Sequence, residues 1–259
     1  NAERYVMAKN KESTKFILAI AIGLSLFCAS LVSLAAVGLK PIQDKNAAEF
    51  KKKNILIAAG IYKEGDKIDE LFDKNIVPKA IVLKTGEETD AIDPLKFNAV
   101  KSAKDPKTGN VLDNDPAKIS SISKYAVIYQ LKEGDKVKRV ILPIRGYGLW
   151  GTMYGFIALD GTGKTVKGIT FYDHIETPGL GAEITNPKWQ AKWTGKKPYT
   201  NGDTPNIQIV KKISDDENVA QHQVDSIAGA TLTSRGVENT INFWLGSDAY
   251  GTYLKKLSQ

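Results

Sequence analysis

The chain has 259 residues, 42% hydrophobic and 25% charged, which fits one globular domain of ordinary size plus additional segments. It carries 36 basic and 29 acidic residues, and the net charge of +7 is compatible with nucleic acid, an anionic membrane surface or simple solubility. The single cysteine, Cys28, excludes an internal disulfide, a cysteine-rich metal site and an iron–sulfur cluster. Basic residues near the N-terminus favour a membrane surface over nucleic acid: Lys9, Lys11, Lys15, Lys40, Lys45, Lys51, Lys52 and Lys53.

Residues 16–39 form an uncharged, apolar stretch. At about 1.5 Å per helical residue it is long enough to cross a hydrocarbon core of about 30 Å. A cleaved signal peptide is the alternative, because residues 33–35 resemble a small-residue cleavage site. The stretch exceeds the roughly 7–15 residues of a signal core, which favours an uncleaved anchor. We therefore predict an N-terminal segment over residues 1–15 and a transmembrane helix over 16–39.

Residues 40–122 are predicted to form a juxtamembrane region of helices and loops. Apolar spacing predicts a helix over 46–62 that continues from the anchor. Asp66 is a candidate N-cap for a short helix over 67–74, and a strand is predicted over 80–83. Residues 85–121 are rich in Asp, Lys, Asn, Gly and Pro, which is typical of a surface loop or linker.

Residues 123–259 are predicted to form the folded domain. Runs of β-branched and aromatic residues joined by turns at 132–135 and 161–164 predict a β-meander. Residues 187–203 are expected to be irregular, and a strand is predicted over 207–210. The segment 234–257 predicts a helix, with one apolar face formed by Val237, Ile241, Trp244 and Leu245. The fold class is α+β, with a single N-terminal transmembrane helix followed by a largely antiparallel, mixed sheet flanked by helices.

Two glycine-rich segments resemble nucleotide-binding motifs. Residues 146–151 match G-x-G-x-x-G, but residues 152–159 predict a strand where that fingerprint requires a helix. Residues 163–165 read Gly-Lys-Thr, but Ala158 stands where a phosphate-binding loop has its first glycine. A tight hairpin turn is the preferred interpretation of the second segment.

Two other segments carry candidate chemistry. Residues 173–181 end in Thr-Pro-Gly-Leu-Gly, which predicts a tight turn where a flat ligand can approach the backbone, although a plain structural turn explains the same residues. With only two histidines, a metal site has little support. Residues 225–234 lead into the C-terminal helix, whose N-terminus favours a phosphate. Ordinary N-capping by Thr233 or Ser234 is the alternative.

Residues 225–231, Asp-Ser-Ile-Ala-Gly-Ala-Thr, resemble the flavinylation motif Asp-x-x-(Ser/Thr)-Gly-Ala-Thr of the FMN-binding domain family. The resemblance implies that Thr231 is esterified to the phosphate of FMN by a dedicated flavin transferase. Ala228 departs from the motif, since Ser or Thr is usual there, and this puts one phosphate contact or recognition by the transferase in doubt.

Residues 146–160, 173–184 and 229–246, with the single anchor, make nearly the whole chain similar to the C-subunit family of sodium-translocating NADH:quinone oxidoreductases. The resemblance implies membership of a bacterial inner-membrane complex of six subunits that passes electrons from NADH toward quinone, with sodium export. It places residues 1–15 in the cytoplasm and the flavin domain in the periplasm. It implies no catalytic side chain, since the flavin is the redox group. The implied FMN contacts are Thr231, Asp225, Ser226, Gly229, Ala230, Leu232, Thr233, Trp150, Glu176, Thr177, Gly179, Leu180 and Lys211.

Two other functions remain open at this point. One is that of the G subunit of the homologous ferredoxin:NAD (Rnf) complex, which shares the flavin motif and the anchor. The run of residues 239–246 favours the quinone reductase over that complex. The other is a membrane-tethered binding or assembly protein without a cofactor, which would be colourless when made beside the transferase.

Overall fold

The computed structural model describes residues 13–200 and 202–258. It divides into two compact units, residues 1–48 and residues 49–259. Most of the predicted cytoplasmic segment, residues 1–12, lies outside the described residues.

The first helix, α1, spans Thr14–Ala58 and is 45 residues long. It is the only helix in the described part of the chain that is long and apolar enough to cross a membrane. Its side chains between residues 16 and 39 are all exposed, as expected for a surface that lipid would cover. The helix ends earlier than the predicted residue 62, because Gly60 adopts a positive φ of 67°. The amides of Gly60 and Ile61 return to the carbonyls of Ile57 and Leu56, closing a Schellman motif.

The second unit is built on a six-stranded antiparallel sheet in the order β2-β1-β5-β6-β7-β8. Four consecutive strands, β5 to β8, form the predicted meander. A short parallel pair, β9 and β10, and a short antiparallel pair, β3 and β4, stand apart from it. The strands are β1 Ile76–Val82, β2 Glu87–Glu88, β3 Gly109–Val111, β4 Ser121–Ser123, β5 Tyr125–Glu133, β6 Lys136–Tyr147, β7 Thr152–Asp160, β8 Val166–Asp173, β9 Gln208–Val210 and β10 Gln223–Asp225.

Strand β1 pairs with β5 along its whole length, from Ile76 opposite Leu131 to Val82 opposite Tyr125. It begins four residues before the predicted strand over 80–83. The sheet therefore contains strands from both predicted regions, residues 40–122 and residues 123–259.

Helices cover both faces of this sheet. The end of α1 packs Ile55, Leu56 and Ala58 onto one face, whose strands contribute Phe156 and Ile141. The C-terminal helices pack on the other face.

The α+β prediction, with one N-terminal apolar helix and a largely antiparallel sheet flanked by helices, is confirmed. The other helices are α2 Ile68–Asn75, α3 Ala99–Lys104, a 3-10 turn Gly181–Thr185, α4 Pro187–Ala191, α5 Glu217–Ala220, α6 Thr231–Leu245 and α7 Gly251–Leu257.

The predicted apolar face of the C-terminal segment is buried, since Val237, Ile241, Trp244 and Leu245 all lie in the core. The prediction of one helix over 234–257 is wrong in two respects. The helix begins at Thr231, and it stops at Gly246, whose backbone is extended and whose amide returns to the carbonyl of Phe243.

Three local predictions are also corrected. Asp66 does not cap α2, because its carboxylate accepts the amide of Lys63 instead. Residues 187–203 contain α4, which begins at Pro187 and is capped by Asn186. The expected loop over 85–121 contains α3, capped by Asn98, and two short strands. The last two corrections reflect asparagine caps that are satisfied locally and that composition does not reveal.

Candidate functional site

Three loops meet at one end of the sheet: the β6–β7 turn, the segment after β8 and the start of α6. Glu176 connects them. Its Oε1 accepts the backbone N–H of Leu149 at 3.0 Å and of Trp150 at 2.9 Å, while its Oε2 accepts the hydroxyl of Thr233. The side chain is only 4% exposed. A buried carboxylate is stable when several donors satisfy it, so Glu176 fixes the geometry of this site.

The glycines of the β6–β7 turn serve this packing. A Cβ on Gly148 would lie 2.5 Å from Oε1 of Glu176, and one on Gly151 would lie 2.6 Å from the side chain of Ile175. Strand β7 follows the turn, as predicted, in place of the helix that a dinucleotide fingerprint requires. The Gly-Lys-Thr segment is the hairpin turn between β7 and β8, where Oδ1 of Asp160 accepts the amides of Thr162 and Lys164.

Helix α6 begins at Thr231 without a side-chain cap. Its N-cap residue is Ala230, so the prediction of capping by Thr233 or Ser234 is wrong. Both hydroxyls lie inside the helix: that of Thr233 bonds Glu176, and that of Ser234 accepts the amide of Ile227 at 3.1 Å. The amides of residues 231–233 have no acceptor in the described part of the chain. Three free N–H groups at the positive end of a helix dipole favour an anion.

The Thr231 side chain itself is exposed at this helix end. Gly229 precedes it with a φ of 73°, a conformation that side chains rarely adopt. A Cβ at Gly229 would come 2.9 Å from Cδ2 of Leu180, so this glycine lets the motif loop approach the segment after β8 closely.

Large apolar side chains around this helix end are exposed, in contrast to the buried sheet. Trp150 is 58% exposed and Leu232 is 54% exposed. The indole N–H of Trp150 donates to the hydroxyl of Thr177 at 3.1 Å, which fixes the ring over the loop. Gly179, with a φ of 73°, allows the turn that presents Leu180. Exposed apolar surface beside an anion-binding helix end suits a ligand with a flat ring and a phosphate.

Asp225 ends β10, which pairs with β9 in parallel. Its carboxylate is 3.0 Å from Nζ of Lys192, and its carbonyl accepts the indole N–H of Trp189 at 2.9 Å. Sequence reasoning missed Lys192 and Trp189, because they lie in a segment expected to be irregular. The tryptophan pair there, Trp189 and Trp193, was the only signal of a packed segment.

Lys211 and Ser226 lie next to this strand pair. The amide of Ser226 bonds the carbonyl of Val210, and Lys211 follows β9 with its side chain exposed. Lys211 has no ion-pair partner among the described residues. The predicted site residues that the structure brings together around Glu176 and the start of α6 are Trp150, Thr177, Gly179, Leu180, Gly229, Ala230, Thr231, Leu232 and Thr233.

The fold and this helix-end site are of the class that the FMN-binding domain family describes, and the model of that family matches residues 148–246. Over nearly its full length the chain is also similar to curated proteins. It is 43% identical over 254 residues to the C subunit of the Na(+)-translocating NADH-quinone reductase of Pseudomonas aeruginosa, an alignment that covers 96% of this chain and 97% of that protein. The C subunit from Vibrio campbellii is 42% identical over 257 residues, covering 97% of this chain and 98% of that protein. The chain belongs to the C-subunit family of Na(+)-translocating NADH-quinone reductases.

Solved structures agree with this assignment. The crystal structure of NqrC from Shewanella oneidensis superposes with a TM-score of 0.75 at 30% identity, over 81% of this chain and 97% of that chain. The crystal structure of the C subunit from Parabacteroides distasonis has a TM-score of 0.66 at 24% identity, over 85% of this chain and 98% of that one, and it supports the fold alone.

Proposed function

We propose that this chain is an electron-transfer component of a Na(+)-translocating NADH-quinone reductase and holds FMN covalently through a phosphoester on Thr231. The observation that carries the proposal is an exposed hydroxyl on the first residue of an uncapped 15-residue helix. The relatives named as C subunits of this reductase, and the FMN-binding domain match over this segment, support the same assignment.

The residues at the start of α6 fit a phosphate. The free amides of residues 231–233 would donate to its oxygens, and Lys211 and the hydroxyl of Ser226 would add charge and a further hydrogen bond. Asp225 is held by Lys192 and positions the strand that leads into the motif. Ala230 is buried and Gly229 has a positive φ, so both shape the loop without contributing functional groups. Thr231 acts as a tether, and a dedicated flavin transferase would form the bond.

The apolar surface beside the tether fits a flavin ring. Trp150, Leu180 and Leu232 would contact the ring, and Thr177 holds the indole in place. Bound FMN supplies one- and two-electron redox chemistry, while the protein sets its position and electrostatics. Glu176 brings a negative charge close to the loops that carry these side chains. Covalent attachment explains how an open surface without a deep pocket retains the cofactor.

The membrane and complex assignments extend the proposal. The chain would be a single-pass protein of the bacterial inner membrane, with residues 40–259 in the periplasm and contacts to the other members of the complex of six subunits. Residues 16–39 contain no charged side chain, so the predicted membrane span of α1 offers no charged group to carry an ion. Sodium coupling therefore belongs to partner subunits in this proposal.

Turnover of the assembled complex tests this function. Complexes with Thr231→Val, which replaces the hydroxyl with a methyl group of similar size, should lose NADH-driven quinone reduction while still assembling. Thr252→Val, in α7 and away from the site, is the control and should keep wild-type turnover. Full turnover in an assembled Thr231→Val complex would contradict the proposal.

A further inference from the structure

The central sheet is open between β5 and β6. Their ladder begins at Glu133 opposite Lys136, beside the hairpin turn, and ends at Tyr129 opposite Ile141. Residues 125–128 of β5 pair only with β1, and residues 142–147 of β6 pair only with β7. Pro143 lies in the unpaired part of β6 and has no N–H to offer β5.

Side chains of the C-terminal helices satisfy the carbonyls that this opening leaves unpaired. The hydroxyl of Tyr250 donates to the carbonyl of Pro143 at 2.9 Å, and the indole N–H of Trp244 donates to the carbonyl of Arg145 at 2.6 Å. The opening is therefore a stable feature of the fold. A cavity of about 470 Å³ lies there, within the second unit and away from the site around Thr231.

Tyrosine hydroxyls line this cavity without protein partners. Tyr129, Tyr154 and Tyr172 all line it, and none of their hydroxyls bonds a residue in the described part of the chain. The rings of Tyr154 and Tyr172 lie 6.5 Å apart, measured between their centroids. Burial raises the pKa of Tyr172, and Tyr129, Asp173 and Tyr154 raise this pKa further. Tyr129 is buried, while Tyr154 and Tyr172 are half-buried, so the three hydroxyls are donors that a ligand in the cavity can use.

Three cationic side chains line the same cavity: Lys51, Lys101 and Arg145. Lys101 is exposed, whereas Lys51 and Arg145 are half-buried. Neither Lys51 nor Arg145 has a carboxylate within ion-pair distance among the described residues. The guanidinium of Arg145 donates to the carbonyl of Ser121 at 2.8 Å. Burial lowers the pKa of both side chains. For Arg145, electrostatic effects of Tyr154, Asp115 and Tyr250 act in the opposite direction on this pKa. Asp173, at the cavity wall, is exposed and pairs with neither cation. A partly buried cation without a counter-ion is costly, and an anionic ligand would remove that cost.

We propose that this cavity binds a small amphiphilic carboxylate. Its carboxylate accepts hydrogen bonds from Lys51, Arg145 and the tyrosine hydroxyls. Its apolar body lies against the apolar side chains that line the cavity. The volume is in the range of about 300–1,000 Å³ typical of small-molecule sites, and the mixture of apolar walls with a few polar donors is typical as well. The apolar wall is formed by Leu83, Phe97, Val127, Pro143 and Ile144.

Calorimetric titration of the full-length chain in neutral-detergent micelles tests the proposal, with hydrocinnamate as the probe and empty micelles as the blank. Saturable binding with a Kd below about 1 mM is expected. Lys51→Gln and Arg145→Gln should each weaken it by about 10-fold, as expected for losing a hydrogen bond to a charged group. Tyr172→Phe, which removes only a hydroxyl, should weaken it by about 3-fold.

Lys53→Gln is the matched control, because Lys53 lies on the same helix over the ring of Tyr62 and does not line the cavity. It should bind hydrocinnamate as tightly as wild type. The neutral amide of hydrocinnamate should bind at least about 10-fold more weakly than the carboxylate. Equal affinity for acid and amide, unchanged affinity in Lys51→Gln, or no saturable binding would overturn the proposal. If Arg145→Gln fails to fold, Lys51→Gln and Tyr172→Phe decide the matter.

Discussion

At the scale of single residues, Glu176 determines the arrangement of the candidate site. The sequence placed it near the flavin by resemblance alone, and composition gave no reason to pair it with Thr233. Those residues are far apart in the chain, and the fold brings the segment after β8 against the start of α6. A buried carboxylate with three donors rigidifies the loops that it joins.

Glu176→Gln is expected to lower the free energy of unfolding by about 1–3 kcal/mol, because a charge-assisted set of hydrogen bonds is lost and an NH₂ group replaces an acceptor. It should also raise the reduction potential of bound flavin, because removing a negative charge favours the more negative reduced form. Denaturant unfolding and spectroelectrochemical titration measure the two effects. Glu64→Gln, at an exposed position, is the control. An unchanged reduction potential in Glu176→Gln would show that Glu176 does not influence the potential of the flavin.

At the scale of elements, α6 packs on the β6–β7 turn through glycines. A Cβ on Gly236 would lie 2.4 Å from the carbonyl of Tyr147, and one on Gly146 would lie 1.9 Å from the hydroxyl of Thr240. This close approach brings the start of α6 to Glu176. The sequence predicted the strands and the helix face from their periodicity, but periodicity does not report which glycine lies at a helix–sheet contact.

Gly236→Ala should destabilise the second unit by about 1–3 kcal/mol, because the new methyl group meets backbone that cannot move aside. The gain in helix propensity, about 1 kcal/mol, only partly offsets this. Arg235→Ala, at the adjacent exposed position of the same helix, should change the stability by less than about 0.5 kcal/mol. Urea unfolding followed by near-UV circular dichroism compares the two. Equal stabilities of the two variants would show that the contact between Gly236 and Tyr147 has room for a methyl group.

At the scale of the whole molecule, buried tyrosines couple the fold to alkaline pH. Burial raises the pKa of Tyr129 to about 12 and also raises those of Tyr172, Tyr199 and Tyr250. Below the ordinary tyrosine pKa of about 10 both folded and unfolded chains are neutral at these positions, so the full stability is present. Above it only the unfolded chain ionises, and stability falls as the pH rises toward the folded-state pKa.

The free energy of unfolding should therefore decrease between about pH 10 and pH 12, by roughly 1 kcal/mol per pH unit for each such tyrosine. Tyr129→Phe should make this pH dependence shallower, by the contribution of one tyrosine. Tyr62→Phe, at a half-buried position, should leave the slope nearly unchanged. Urea titrations at a series of pH values provide the measurement, and a slope that is identical in wild type and Tyr129→Phe would contradict the prediction.

The proposed orientation is also a property of the whole chain. In a Cys28→Ser background, Asn218→Cys on the exposed surface of α5 should react with a membrane-impermeant maleimide on intact spheroplasts. Lys11→Cys should react only after permeabilisation. The reverse pattern would place the folded unit in the cytoplasm.

The fold class and the main strands followed from the sequence because they rest on short-range patterns: the uncharged run of 16–39, the alternation in β5 to β8 and the apolar face of α6. The pairing of β1 with β5, the opening beside Pro143 and the contact between Asp225 and Lys192 depend on partners distant in the chain. The motif residues were identified by resemblance, since their physical pattern alone also fitted an ordinary helix start.

The central claim is a covalent bond between FMN and Thr231, and intact-mass spectrometry of denatured protein tests it most directly. Wild type, Thr231→Val and the control Thr252→Val should each be produced with the flavin transferase. Wild type and Thr252→Val should gain the mass of one FMN less one water, and Thr231→Val should not. The same gain on Thr231→Val, or no gain on any of the three proteins, would contradict it.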